Sequence, residues 1–361
     1  MRLAMLAPRG TVAGPLPKHT PLLVDALQRL GCEVELRPWG RRVEGEPMHA
    51  RVTGRIRDVL DARRSIASGN PPVVVVKTAH DWKTLTRDLA LLYALDRRRT
   101  VVVQFHGSQS TRLVERGSTM FKYATRALLR RADGVLVLSR EEQRQWQQFE
   151  PRAKVLVVRN VRPPAPAIAE HDERSGGPPT ILCVSRLMAS KGVHDLVRAL
   201  PVVLSRVPAR LILAGNGPET ASLRTLADDL DVGDSLELPG YVSGAQLWRL
   251  YSDAAVFALP TYHDEGFPTV ILEAMAAGLP IVTTSARGSA DHLEEGDNAL
   301  FVPAKDPAAL AEALARLLAN DDLRRSMGEA NRAKVTEFDP DPVAREYLDA
   351  LEQIVTDRNG R

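Results

Sequence analysis

Residues 262–278 read YHDEGFPTVILEAMAAG and follow directly on AVFALPT at 255–261. The apolar run predicts a buried strand, and TVILEAMAAG predicts a helix closed by Gly278. Between them Gly266 allows a tight turn and a close approach of backbone to a ligand. Pro268 is expected as the first helical residue, where its missing N–H has no partner to lose and its fixed φ suits helix entry. A strand that turns through a tight loop straight into a helix is the unit from which parallel α/β sheets are built.

The same stretch carries chemistry. Glu265 and Glu273 lie eight residues apart, which puts Glu265 in the loop at the helix mouth and Glu273 further along the helix. The free N–H groups near residues 268–271, with the helix dipole, make an anion site. A phosphate beside two carboxylates is consistent only if each has its own task. Glu265 is expected to accept hydrogen bonds from sugar hydroxyls and Glu273 from ribose hydroxyls, while the backbone N–H groups near residues 268–271 hold a diphosphate.

Two further loops suit that ligand. SRLMASKG at 185–192 follows the apolar strand TILCV and places Arg186 and Lys191 on one strand-to-helix loop, where side chains of a parallel sheet converge on a ligand crevice. Two cations there neutralise a diphosphate without a metal. LAGNGP at 213–218 ends another strand with two glycines, offering Asn216 and Gly217 as nucleotide contacts. A dinucleotide fingerprint is the competing reading, with Glu237 about twenty residues on. It fails because Thr220 holds the third glycine position and the unit is not the first of its domain.

Working outward, short β-branched runs alternate with helical patterns along all 361 residues, which predicts two doubly wound α/β domains. The first spans 1–162, with strands at 2–6, 33–36, 73–77, 100–105, 134–138 and 154–158 and a first helix over 21–30. The segment RPPAPAIAEHDERSGGPP at 162–179 holds five prolines and two glycines and reads as the linker, taken as 163–179. The second domain spans 180–341, with strands at 180–185, 210–214, 235–238, 255–259 and 280–283. A last helix over about 342–358 presents Val343, Tyr347, Leu351 and Ile354 on one face. In the first domain Gly14 lies in the loop before the first helix, where backbone amides meet a leaving phosphate. His106 ends the strand at 100–105.

Composition narrows the function. Residues 1–165 hold 30 Lys+Arg against 15 Asp+Glu, and the rest 18 against 30, so the halves carry about +15 and −12 behind a net +3. The basic half points to an anionic partner, such as lipid headgroups or a lipid-phosphate acceptor. Lys122, Arg126 and Arg130 recur at four-residue spacing as a basic stripe, read as a solvated face or a headgroup contact. Nucleic acid is not expected, because the basic segments lack interleaved aromatics and no recognition module is present. The Pro and Gly soon after the N-terminal strand argue against a signal peptide, and no apolar run approaches the length of a membrane helix. Cys32 and Cys183 are expected as reduced thiols in a cytoplasmic protein, peripheral at the inner membrane face through its basic half. The pairs Asp229/Asp231 and Asp339/Asp341 match an acidic metal-binding pattern, but neither follows a buried strand and no metal is expected. His80 and His19 sit at loop or helix entries and suit structural or acceptor-side roles.

The segments SRLMASKG, AGNGP and EGFPTVILEAMAAGLPIV, with their EX7E pair, resemble the retaining family 4 glycosyltransferases of the GT-B fold, over nearly the whole chain. The resemblance implies two Rossmann-like domains facing a central cleft, a nucleotide-sugar donor, no cofactor or metal, and retention of anomeric configuration. It implies that Arg186 and Lys191 bind the donor diphosphate, Glu273 the ribose, and Glu265 with Gly266, Phe267, Pro268 and Thr269 the sugar. His106 contacts the transferred sugar, and the last helix crosses back onto the first domain. Pro15 stands where the family has a second glycine, so Gly14 carries that contact here. The expected reaction moves a hexose-type sugar from a UDP or GDP donor to an acceptor hydroxyl, in glycan or glycolipid synthesis. The open alternatives are a silent nucleotide-sugar binder, a transferase with a soluble acceptor, a phosphorylase of the same fold and a nicotinamide dehydrogenase.

Overall fold

A computed structural model of the chain describes residues 1–8, 15–40, 48–114, 118–165, 177–262 and 266–360. Gly14 and Glu265 lie outside the described residues, as does most of the expected linker. The chain divides into two compact units, one of residues 1–161, 264–267 and 338–361, the other of 162–263 and 268–337.

The first unit is a six-stranded parallel sheet of β1 (Arg2–Ala7), β2 (Glu33–Pro38), β3 (Val73–Thr78), β4 (Thr100–Phe105), β5 (Gly134–Val137) and β6 (Val155–Val157), in the order β2-β1-β3-β4-β5-β6. Strands β3 and β4, VVVVKT and TVVVQF, are buried at every residue, as expected of central parallel strands covered on both faces. Alternate residues feed two cores. Val74, Val76, Val103 and Phe105 pack with Trp39, Leu85 and Trp146 on one face. Val73, Val75 and Val102 pack on the other with Leu3, Met5 and Leu27, and with Tyr347, Leu351 and Ile354 of the last helix. Gly134 leaves room for that helix, since a Cβ there would collide with Ile354.

The second unit holds β7 (Thr180–Val184), β8 (Arg210–Ala214), β9 (Leu236–Gly240), β10 (Val256–Leu259), β11 (Ile281–Thr283) and β12 (Ala299–Phe301) in one parallel sheet, ordered β12-β11-β10-β7-β8-β9. Read from β9, this is the 3-2-1-4-5-6 order of the doubly wound nucleotide-binding fold. The order reverses between β7 and β10, and ligands of such sheets bind beyond the carboxyl ends of the strands at that point. The matching reversal in the first unit lies between β1 and β3.

Several expectations need correction. The first helix is Pro15–Arg29, six residues earlier than the apolar pattern suggests, with Pro21 inside it. Pro15 suits the first helical position, and Pro21, where the apolar pattern begins, lies inside the helix. The last helix is Pro340–Asn359, longer at both ends than its apolar stripe. Strand β12 is not among the expected strands. Cys32 and Cys183 are buried free thiols.

Candidate functional site

In the second unit the loops that flank the reversal point are fastened to one another. After β7 the chain runs through Ser185 and Arg186 into a 3-10 turn, Ala189–Lys191, and leaves it through Gly192 at φ 71°. A Cβ on Gly192 would strike the Pro260 carbonyl, so glycine alone allows this approach to the loop after β10. Tyr262 N–H and Thr261 Oγ1 both donate to the Ser190 carbonyl, at 3.0 and 3.2 Å. Arg186 is exposed at the edge of this arrangement. Lys191 is only 5% exposed.

The AGNGP loop packs on the same segment. Leu187 N–H donates to the Asn216 carbonyl and Glu219 N–H to the Leu187 carbonyl, each at 3.1 Å. Gly215, at φ 144°, and Gly217 would carry Cβ atoms into the carbonyls of Ser185 and Leu187. Both glycines are therefore required by packing of loop on loop, whatever they offer a ligand. Asn216 is exposed.

The helix after β10 is Thr269–Ala277, with Pro268 at its N-cap (φ −63°, ψ 129°) rather than as its first residue. Proline lacks a side-chain acceptor and makes no cap hydrogen bond here, which leaves the first-turn N–H groups to other acceptors. Glu273, half-buried on this helix, accepts a hydrogen bond from Tyr251 Oη at 2.8 Å. Tyr251 belongs to the helix Gly244–Asp253, is fully buried, and rests beside Phe257 and Trp248. Burial first, and then the Glu273 charge, hold its phenol well above the ordinary range, so Tyr251 is a permanent donor that orients the carboxylate. Sequence patterns missed it, because a tyrosine on the apolar face of GAQLWRLYSD looks like any core aromatic.

Gly266 and Phe267, expected with Pro268 around the sugar, group with the first unit. A Cβ on Gly266 would collide with Leu138, Phe267 packs its ring 5.5 Å from Phe338, and its carbonyl accepts from Asn160 Nδ2 at 3.3 Å.

The first unit gathers a second set of polar groups at the carboxyl ends of β3 and β4. His106 follows β4, held by its N–H to the Thr78 carbonyl at 3.0 Å. Burial, then Lys77 and His19, depress its pKa well below the ordinary value, so the ring is neutral. It lines a cavity of about 20 Å³ with His19, Lys77, Gln104, Arg159 and Asn160, room for about one water molecule. Gln104 Oε1 is anchored by Tyr347 Oη at 2.8 Å. Lys77 is 4% exposed, and burial lowers its pKa to about 7. Beneath the loop, Glu142 accepts from Ser108 N–H (3.0 Å), Ser108 Oγ (2.6 Å) and Leu138 N–H (3.2 Å), which fixes the HGS turn. Lys77 and Gln104 escaped notice because each sits in an apolar run, and Glu142 because it is one of many charged residues in REEQRQWQQF. His80 is a core residue, surrounded by Phe105, Phe121 and Trp146, with its pKa lowered to about 3 by burial.

The basic stripe is partly neutralised. Arg126 lies 3.5 Å from Glu150 and over the Phe149 ring. Among the described residues no group of three His, Cys, Asp or Glu is placed to hold a metal ion, and no helix is long and apolar enough to cross a membrane.

Two outcomes follow. Tyr251→Phe removes one charge-assisted hydrogen bond from Glu273, so the unfolding free energy, measured by denaturant titration, should fall by about 1.5 to 3 kcal/mol while circular dichroism stays unchanged. Lys77 binds fewer protons folded than unfolded between pH 7 and 10.5, so its burial cost is full near pH 7 and relieved as pH rises. The first unit should gain up to about 1.4 kcal/mol per pH unit across that window. Denaturant titrations at pH 7 and 9, followed by tryptophan fluorescence, should show this slope and its loss in Lys77→Met.

Comparison with known proteins agrees with this architecture. Residues 18–163 match the family described as Glycosyltransferase Family 4, and residues 166–334 match Glycosyl transferases group 1. A GDP-mannose-dependent alpha-(1-6)-phosphatidylinositol monomannoside mannosyltransferase of Mycobacterium tuberculosis is 32% identical over 319 residues, 82% of this chain and 79% of that one. An exopolysaccharide phosphotransferase of Streptomyces coelicolor is 34% identical over 182 residues, half of this chain but only 19% of its own length. Among solved structures, sucrose-phosphate synthase of Thermosynechococcus elongatus superposes with a TM-score of 0.80 at 20% identity, covering 98% of this chain and 99% of that one. With the strand orders above, these matches show that the chain belongs to glycosyltransferase family 4 and has the GT-B fold.

Proposed function

We propose that this glycosyltransferase moves a hexose from a nucleoside-diphosphate sugar to an acceptor hydroxyl with retention of configuration and without a metal. The observation that carries the reading is the reversal point of the second sheet. Its two flanking loops bring Arg186 and Lys191 on one side and the uncapped start of the helix Thr269–Ala277, with Glu273, on the other. A diphosphate suits the cations and the helix mouth, and the oriented Glu273 carboxylate suits ribose hydroxyls. The mannosyltransferase relative uses GDP-mannose, which favours a GDP donor over a UDP one.

In the proposed reaction the bond from the anomeric carbon to the diphosphate breaks, and the leaving phosphate takes the electron pair. The acceptor oxygen bonds to the same face of the sugar while its proton passes to the departing phosphate oxygen. Charge develops at the diphosphate, where preorganised donors stabilise it most. Each charge-assisted hydrogen bond contributes about 1.5 to 3 kcal/mol. The neutral His106 ring suits hydrogen bonding to a sugar hydroxyl. Glu265 and Gly14 are assigned to sugar and phosphate by resemblance.

The relative's phosphatidylinositol-linked acceptor and the basic first half favour an anionic, lipid-linked acceptor and a peripheral membrane contact. On the helix Thr119–Leu129, Met120 and Tyr123 are 69% and 63% exposed beside the basic stripe, a combination suited to an anionic interface.

A thermal-shift panel should show stabilisation by GDP or GDP-mannose above that by UDP-sugars, unaffected by chelator. Arg186→Ala with Lys191→Ala should abolish the shift and lower turnover at least a hundred-fold. An inverted product by NMR, strict metal dependence, or full turnover in the double variant overturns the mechanism. Wild-type protein should co-sediment with phosphatidylinositol-containing vesicles at low salt, and Met120→Glu with Tyr123→Glu should reduce this several-fold. Equal binding by the variant removes the membrane contact.

A further inference from the structure

Strands β3 and β4, at the centre of the first sheet, carry one charged side chain between them, Lys77, which is 4% exposed. An ammonium withdrawn from water costs stability unless a carboxylate answers it. None does so among the described residues. Burial alone moves the Lys77 equilibrium, and Nζ lies 5.9 Å from the centroid of the Tyr347 ring. A valine or methionine would continue the strand without that cost, so the charge answers to something other than core stability.

Its neighbours say for what. Lys77 and Gln104 are Cα partners across β3 and β4, and His106, two residues beyond Gln104, returns to the same face of the sheet. The three side chains line the water-sized cavity described above, and the Lys77 charge acts directly on the His106 ring. Nε2 of that ring is buried and has no hydrogen-bond partner. A neutral imidazole carries its proton on one nitrogen only, and what faces the other nitrogen decides which. A cation beside Nε2 favours the tautomer that turns a lone pair toward it. A water in the cavity passes on the same preference, because an ammonium only donates: the water accepts from Lys77 and donates to Nε2. The proton then sits on Nδ1.

We propose that Lys77 is a positioning residue for sugar transfer, keeping His106 in the tautomer whose Nε2 is unprotonated and whose Nδ1–H donates to a hydroxyl of the donor sugar. The inference rests on the reading of His106 as a sugar contact, and the experiment separates the two. Full-length protein is labelled with 15N-histidine, and the His106 ring signals are identified by their loss in His106→Gln. At pH 6 the wild-type Nε2 should resonate as an unprotonated nitrogen, and the Nε2–H form should grow as Lys77 loses its proton through about pH 7. In Lys77→Met, which should melt no lower than wild type, the Nε2–H form should be present already at pH 6 and stay constant with pH. Its kcat should fall about ten-fold with KM for the donor unchanged, and the wild-type decline of kcat above pH 7 should disappear. The groups that face Lys77 are His106 and Gln104, His19 on the first helix, Arg159 with its partner Glu346, Asn160, and Tyr347 on the last helix. A pH dependence that persists in Lys77→Met assigns the titration to His19 and overturns the proposal. If the tautomer is the same in Lys77→Met as in wild type while His106→Gln loses turnover, the inference fails and the sugar contact stands. If His106→Gln turns over as wild type, the sugar contact fails and the inference with it.

Discussion

The second unit depends on backbone meeting backbone without side chains between. At Gly192, Gly215 and Gly217 a single methyl group would enter a neighbouring carbonyl, and the loops after β7, β8 and β10 pack together only because those methyl groups are missing. This contact sets where Arg186, Lys191 and Asn216 stand. It also turns a familiar sequence ambiguity into a physical statement, since glycines that resemble a phosphate-binding fingerprint are here needed by the protein's own main chain.

The two units handle polar groups differently. In the second, Arg186, Lys191 and Asn216 lie on loops around the point where strand order reverses, and Tyr251, buried on a neighbouring helix, serves to orient Glu273. In the first, polar residues are built into the central strands: Lys77 ends the valine run of β3 and Gln104 stands one residue from the end of β4. Their burial is what moves the Lys77 and His106 equilibria, and Tyr347 and Glu142 hold the groups around them in place.

Most strands could be read from the residues, because central parallel strands are buried on both faces and appear as unbroken β-branched runs. Helix starts were less legible. Pro15, Pro21 and Pro268 each signal a boundary, and only the surrounding backbone decides which is a first residue, an interior break or a cap. Residues 185–192 and 268–273 showed their charges and turn glycines openly. Tyr251, Lys77 and Gln104 did not, because a polar residue inside an apolar pattern gains its meaning from neighbours distant in sequence.

The packing of the last helix has a consequence for biosynthesis. Leu3 and Met5 share one core with Tyr347, Leu351 and Ile354, which come far later in the chain. On the ribosome the first sheet emerges with that face uncovered and must wait for the helix that carries Tyr347 to be translated. The intervening unit can finish its own core earlier, from residues 162–337. Folding order therefore runs against chain order, and the apolar face around Val73, Val75 and Val102 is the surface exposed to chaperones or to misassembly during that delay.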